Sequence, residues 1–83
     1  MTRKEAQEYL ISYYKKQIAE KGGDSVWMQS PCVGKCEWTL DEMLESVTND
    51  TPLEGSRTNT IDDLLALERW YKERGLEFEL EEI

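Results

Sequence analysis

Histidine is missing from this chain altogether, so there is no imidazole base, no Ser-His or Cys-His pair and no histidine metal ligand. Most hydrolytic plans fail at that point. Cysteine is scarce, two residues in 83, far short of a disulfide-stapled scaffold, and the expectation is a reducing, cytoplasmic setting. Long apolar runs are missing too. The longest is Leu64 to Leu67, against roughly 20 residues for a spanning helix, and Met1 to Ala6 leads into no signal-type stretch. No membrane contact is expected. The chain also lacks a G-x-S-x-G elbow, a G-x-x-x-x-G-K-[ST] loop and a G-x-G-x-x-G fingerprint. The reading is therefore of a protein that is not an enzyme and carries no cofactor.

Positive charge is in short supply, with ten Lys plus Arg against 18 Asp plus Glu and a net charge of −8 at pH 7. It is also uneven: residues 1–23 hold five bases and three acids, whereas residues 24–83 hold five bases and fifteen acids. Such a surface repels a phosphate backbone, so direct nucleic-acid binding is not expected and a basic protein partner is. At this length the chain supports one core and not two, since a domain of about 60 residues already buries only roughly 60% of its surface. Residues 1–83 are read as a single small acidic domain.

What is present organises into a helix-dominated α+β pattern. Thr2-Arg3-Lys4-Glu5 is a capping box, apolar residues recur at three- and four-residue steps from Ala6 to Ile18, and Gly22-Gly23 supplies a stop, so a helix is predicted over about 3–21. Val26-Trp27-Met28 is a short apolar run before Pro31 and Gly34, read as a strand over about 25–29 and a turn. Thr39-Leu40-Asp41-Glu42 repeats the capping box and places Leu40, Met43, Leu44 and Val47 on one side of a helix at about 40–48. A polar connection over 49–59 follows.

Thr60 then stands where its hydroxyl caps a helix at about 61–74, with Asp62 and Asp63 in the positive first turn and Gly75 past the end. Ile61, Leu64, Leu65, Leu67, Trp70 and Tyr71 cover more than half its circumference, which predicts the centre of the core there. Truncating Leu64 or Leu65 to Ala is then expected to cost about 2–5 kcal/mol if buried. In the tail, Leu76, Phe78 and Leu80 alternate with Glu77, Glu79 and Glu81, the period of an edge strand over about 76–81. So the pattern holds three helices and one or two short strands.

Few residues carry reactive chemistry. Cys32 and Cys36 bracket a Gly-Lys turn one residue longer than the redox spacing, and two thiolates do not fill a zinc shell. They stand as free thiols, a disulfide or half of a shared metal site; no resident metal is assigned. The carboxylates divide between Asp41, Glu42 and Glu45 on the second helix, Asp62 and Asp63 on the third, and Glu77, Glu79, Glu81 and Glu82 in the tail. Three Trp and four Tyr are a heavy aromatic load, and Trp27 and Trp38, beside the Pro-Gly turn, are expected outside as interface anchors.

Two functional expectations follow. The first is an inhibitory interaction protein whose carboxylates at Asp41, Glu42, Glu45, Asp62, Asp63, Glu77, Glu79 and Glu81 imitate a phosphate array and occupy a partner's basic nucleic-acid groove. In size and acidity, though in no motif, the chain resembles bacteriophage anti-restriction and anti-CRISPR proteins and the immunity proteins of nuclease toxins. The second is a self-associating accessory module, a homodimer through strand 76–81 or through shared cysteines, whose acidity serves solubility alone.

Overall fold

A computed structural model of the chain describes residues 1–28, 37–53, 55, 59–80 and 82, with the backbone alone at Trp27 and Met28. Helix α1 (Arg3–Lys21) starts as its capping box requires: the Thr2 hydroxyl accepts from Glu5 N at 3.1 Å and the Glu5 carboxylate from Thr2 N at 2.9 Å. It stops at Gly22, whose φ of 93° no side-chain-bearing residue adopts readily and whose N–H donates to Ile18 O at 2.7 Å. Strand β1 (Val26–Met28) pairs antiparallel with β2 (Glu37–Thr39), Val26 facing Thr39 and Trp27 facing Trp38. Helix α2 (Leu40–Asn49) begins without a linker, because Thr39 closes β2 and caps α2 in one residue. Helix α3 (Thr60–Glu73) completes a helix-dominated α+β fold.

Two of the expected caps hold and one moves. Thr39 and Glu42 form the second capping box. The cap of α3 is Asn59 rather than Thr60, with Asn59 Oδ1 accepting from Ile61 N at 3.0 Å. With Asn59 as the cap the helix starts one residue earlier, and the buried Thr60 hydroxyl is left with no hydrogen-bond partner among the described residues. At the far end Gly75, at φ 67°, donates to Lys72 O at 3.1 Å and Leu76 N donates to Tyr71 O at 2.9 Å, the paired bonds of a glycine-terminated helix.

The core is seated on α2 and not on α3. Leu40, Met43 and Val47 are fully buried, and α1 lays Ala6, Leu10 and Tyr14 against them. Trp38 closes one side, while Leu53, in the polar connection, and Ile61 close the other. Helix α3 gives the core Ile61; Leu64 and Leu65 are half-buried, and Leu67 and Trp70 are 46% and 45% exposed. The reason is position. The Met1 ammonium meets Glu68 at 2.7 Å, so the second half of α3 runs past the start of α1, where no third helix covers it.

The tail also departs from expectation. Residues 76–80 form no strand: among the described residues the expected partner, β1, pairs with β2, and the tail is held to the end of α3 instead, by Leu76 N on Tyr71 O and by the Phe78 ring against Tyr71. Cys32 and Cys36 lie outside the described residues. Among the described residues no helix is long and apolar enough to cross a membrane.

This packing ranks substitutions differently from the sequence period. Met43→Ala or Leu40→Ala should lower unfolding free energy by about 2–5 kcal/mol, Leu64→Ala or Leu65→Ala by less, and Leu67→Ala should stay within about 0.5 kcal/mol of the parent. Thr60→Val, which removes an unpartnered buried hydroxyl at little change in shape, should leave the urea midpoint unchanged or raise it. Urea unfolding of the set checks both, and a large loss at Leu67 or Thr60 contradicts the packing described.

Candidate interaction surface

Ionic groups gather first where three helix ends meet. The Arg3 guanidinium straddles the Asp50 carboxylate, Nε donating to Oδ2 at 2.8 Å and Nη2 to Oδ1, while Nη1 donates to Asp62 Oδ1. Asp50 caps α2 in the left-handed region at φ 53°, and its Oδ1 also accepts from Asn59 Nδ2 at 3.1 Å. A carboxylate at the negative end of a helix is unfavourable by itself; here Arg3 from α1 and Asn59 from the cap of α3 offset it. Hydrogen bonding to Arg3 holds the Asp50 carboxyl below its ordinary range. Asp62 is therefore not an outward-facing charge awaiting a partner, because the chain's own guanidinium engages it.

The other expected carboxylates sort by what they touch. Asp41 is exposed in the first turn of α2, its carboxylate lying where a Cβ on Gly23 would overlap it, which explains a second glycine after the helix stop. Glu45 is exposed one turn later on the same side. Glu42 is half-buried and engaged in the capping box. Asp63 is half-buried and adds to the upward shift that burial imposes on the Tyr14 phenol. Glu77, Glu79 and Glu82 are exposed and, like Asp41 and Glu45, have no ion pair among the described residues. Glu81 and the Trp27 side chain lie outside the described residues.

Two corrections follow. Trp38, expected outside, is 4% exposed, because alternation along β2 turns it inward over α2. The carboxylates are also not uniformly free: Asp41 lies beside Gly23, past the end of α1, whereas Asp62 is bound by Arg3 at its start.

A second surface, absent from the expected set, lies at the end of α3. Leu67, Trp70, Leu76 and Leu80 are the large apolar side chains exposed there. Rings connect them: Trp70 to Tyr71 and Tyr71 to Phe78 both stand at 5.3 Å between centroids, and the Arg74 guanidinium sits 4.1 Å over Trp70. Glu73, Glu77, Glu79 and Glu82 border this patch in sequence and are all exposed. The apolar excess on α3 was the available signal: a helix apolar over more than half its circumference, with only two other helices to pack on, exceeds what a chain of this size covers. Among the described residues no three metal-ligating side chains cluster. Compared with known protein families, characterised proteins and solved structures, the chain matches none.

The polar junction has a pH signature. Arg3 depresses Asp50, Thr2 depresses Glu5 and the terminal ammonium depresses Glu68, each through a hydrogen bond to the charged carboxylate. A carboxyl held below its unfolded value stabilises the fold above the ordinary carboxylate range, near about 4, and loses that contribution as pH falls through the depressed value. The urea midpoint should hold from neutral down to about pH 5 and fall in acid. Arg3→Gln should lower it at neutral pH and flatten the acid limb, and an unchanged limb would contradict the role given to Arg3.

Proposed function

We propose that the protein is a small acidic interaction module that binds a basic, nucleic-acid-binding surface of a partner protein and blocks it. The observation that carries this reading is that exposed carboxylates, Asp41 and Glu45 on α2 and Glu77, Glu79 and Glu82 in the tail among them, make no ion pair among the described residues. Internal pairing removes part of the positive charge that would otherwise mute them. Arg3 is engaged by Asp50 and Asp62, Lys72 lies 3.7 Å from Glu68, and Arg74 lies over Trp70. Unpaired surface carboxylates attract Arg and Lys over about a Debye length and compete with phosphate for them.

The separation of the acidic groups narrows the mechanism. Asp62 on α3 is engaged by Arg3, which leaves the exposed acids of α2 and those of the tail as two sets. Binding is therefore built from a charged contact that steers association and an apolar contact that gives residence, a division common to interfaces with aromatic anchors and acidic rims. Trp70, with a 45% exposed side chain at the patch, is the anchor in this scheme in place of Trp38.

Immobilised protein should retain a basic nucleic-acid-processing protein from its host's extract at about 0.1 M salt and release most of it at about 0.5 M, because screening weakens exposed charge pairs. Added in solution, it should displace a labelled oligonucleotide from that partner. Retention indifferent to salt, or a partner whose oligonucleotide binding is untouched, overturns the blocking role.

A further inference from the structure

We propose that the tail after Gly75, together with the exposed end of α3, is a docking edge for an extended partner segment in which apolar and basic residues alternate. This names the contact surface of the interaction module proposed above and rests on that reading.

The tail has a strand's sequence without a strand's neighbour. Leu76, Phe78 and Leu80 share one parity and Glu77 and Glu79 the other, yet residues 76–80 form no strand pairing among the described residues. Beyond the Leu76 N–H, no backbone hydrogen bond is made by residues 77–80 among the described residues. The segment is nonetheless anchored, by Leu76 N on Tyr71 O at 2.9 Å and by the Phe78 ring set edge-on to Tyr71 at 5.3 Å. One apolar residue of the row is thus docked, while Leu76 and Leu80 on either side are 51% and 37% exposed. Amides and carbonyls left without backbone partners can pair with an added strand, with alternate side chains setting specificity.

Charge selects the occupant. Glu77 and Glu79 have no ion pair among the described residues, and opposite-charge pairs across strands stabilise while like charges directly opposite destabilise. A second copy that matched its leucines to Leu76 and Leu80 would bring its own glutamates onto the row of Glu77 and Glu79. A nucleic acid or an anionic lipid surface would meet the same repulsion. A segment with Val, Ile or Leu at alternate positions and Lys or Arg between them satisfies the backbone, covers the leucines and neutralises the glutamates together.

The test uses the full chain and a synthetic peptide of alternating valine and lysine, followed by titration calorimetry. One-to-one binding is expected, weakened by about tenfold or more in Leu76→Ser, in Leu80→Ser and in the Glu77→Lys/Glu79→Lys double variant, and unchanged in Glu8→Gln/Glu20→Gln, at exposed positions of α1. A serine–lysine peptide of equal charge should bind about tenfold more weakly and a valine–glutamate peptide not at all. These side chains lie outside the core, and circular dichroism on each variant checks that it folds. Equal affinity for the serine–lysine peptide, or tail variants that bind like the parent, overturns the docking edge. So does a dimer in sedimentation that Leu80→Ser converts to monomer, which assigns the edge to a second copy. The two proposals fail separately. If the tail variants still retain the basic host partner, this edge is wrong and the module stands; if the parent retains none while the peptide behaves as expected, the edge stands and the blocking role falls.

Discussion

Everything in this fold depends on closing both ends of one ten-residue helix, α2. A helix that short is not stable alone in water, and its first amides and last carbonyls have no partners within it. At its start Ser25 O takes Leu40 N at 3.0 Å, Gly23 O takes Asp41 N at 2.9 Å and the Thr39 hydroxyl takes Glu42 N at 3.1 Å. At its end Gln7 donates to Val47 O at 3.0 Å and Thr48 O at 3.2 Å, while Asp50 N and Thr51 N share Ser46 O. Gln7 comes from α1 and Gly23 and Ser25 from the turn that follows it, so α1 and the entry to the hairpin hold α2 at both ends and its buried face then holds them.

The same closure governs charge. With its first amides bonded to the chain's own carbonyls, the start of α2 offers no free donors to an anion, and the acids near it face outward instead. The end of α2 draws Arg3, Asp50, Asn59 and Asp62 into one junction that joins all three helices. The charged groups of the junction, Arg3, Asp50 and Asp62, are exposed while Asn59 is buried, so the junction orients the helices more than its ion pairs stabilise them. Its further effect is subtractive: it removes Asp62 from the surface charge, and the acidic tail becomes the dense remainder.

Local chemistry was legible wherever one residue acts on its immediate neighbours. Thr2 with Glu5, Thr39 with Glu42, Gly22 and Gly75 marked the helix ends, and the spacing of Leu40, Met43, Leu44 and Val47 marked the buried face of α2. Asn59 beside Thr60 shows where that legibility thins, since two adjacent residues competed for one cap and only backbone geometry chose. Leu53 was not legible: a single apolar residue in a polar connection has no period, yet it is 2% exposed. Leu67 and Trp70 fit the helical period as well as Leu64 does, and what exposes them is the place where α3 crosses α1.

By itself, then, the order of residues determined the three helices, the caps of α1 and α2, the buried face of α2, the acidity and the lack of histidine chemistry, because each follows from neighbours within about one helical turn or from counting. Tertiary structure decided which helix sits at the centre, that Trp38 lies inside and Trp70 outside, that Asp62 is engaged by Arg3, and that the tail has a strand's alternation but no strand to pair with. Those outcomes depend on contacts across 47 to 67 residues, such as Arg3 with Asp50 and Met1 with Glu68, and no local pattern encodes where such distant segments meet.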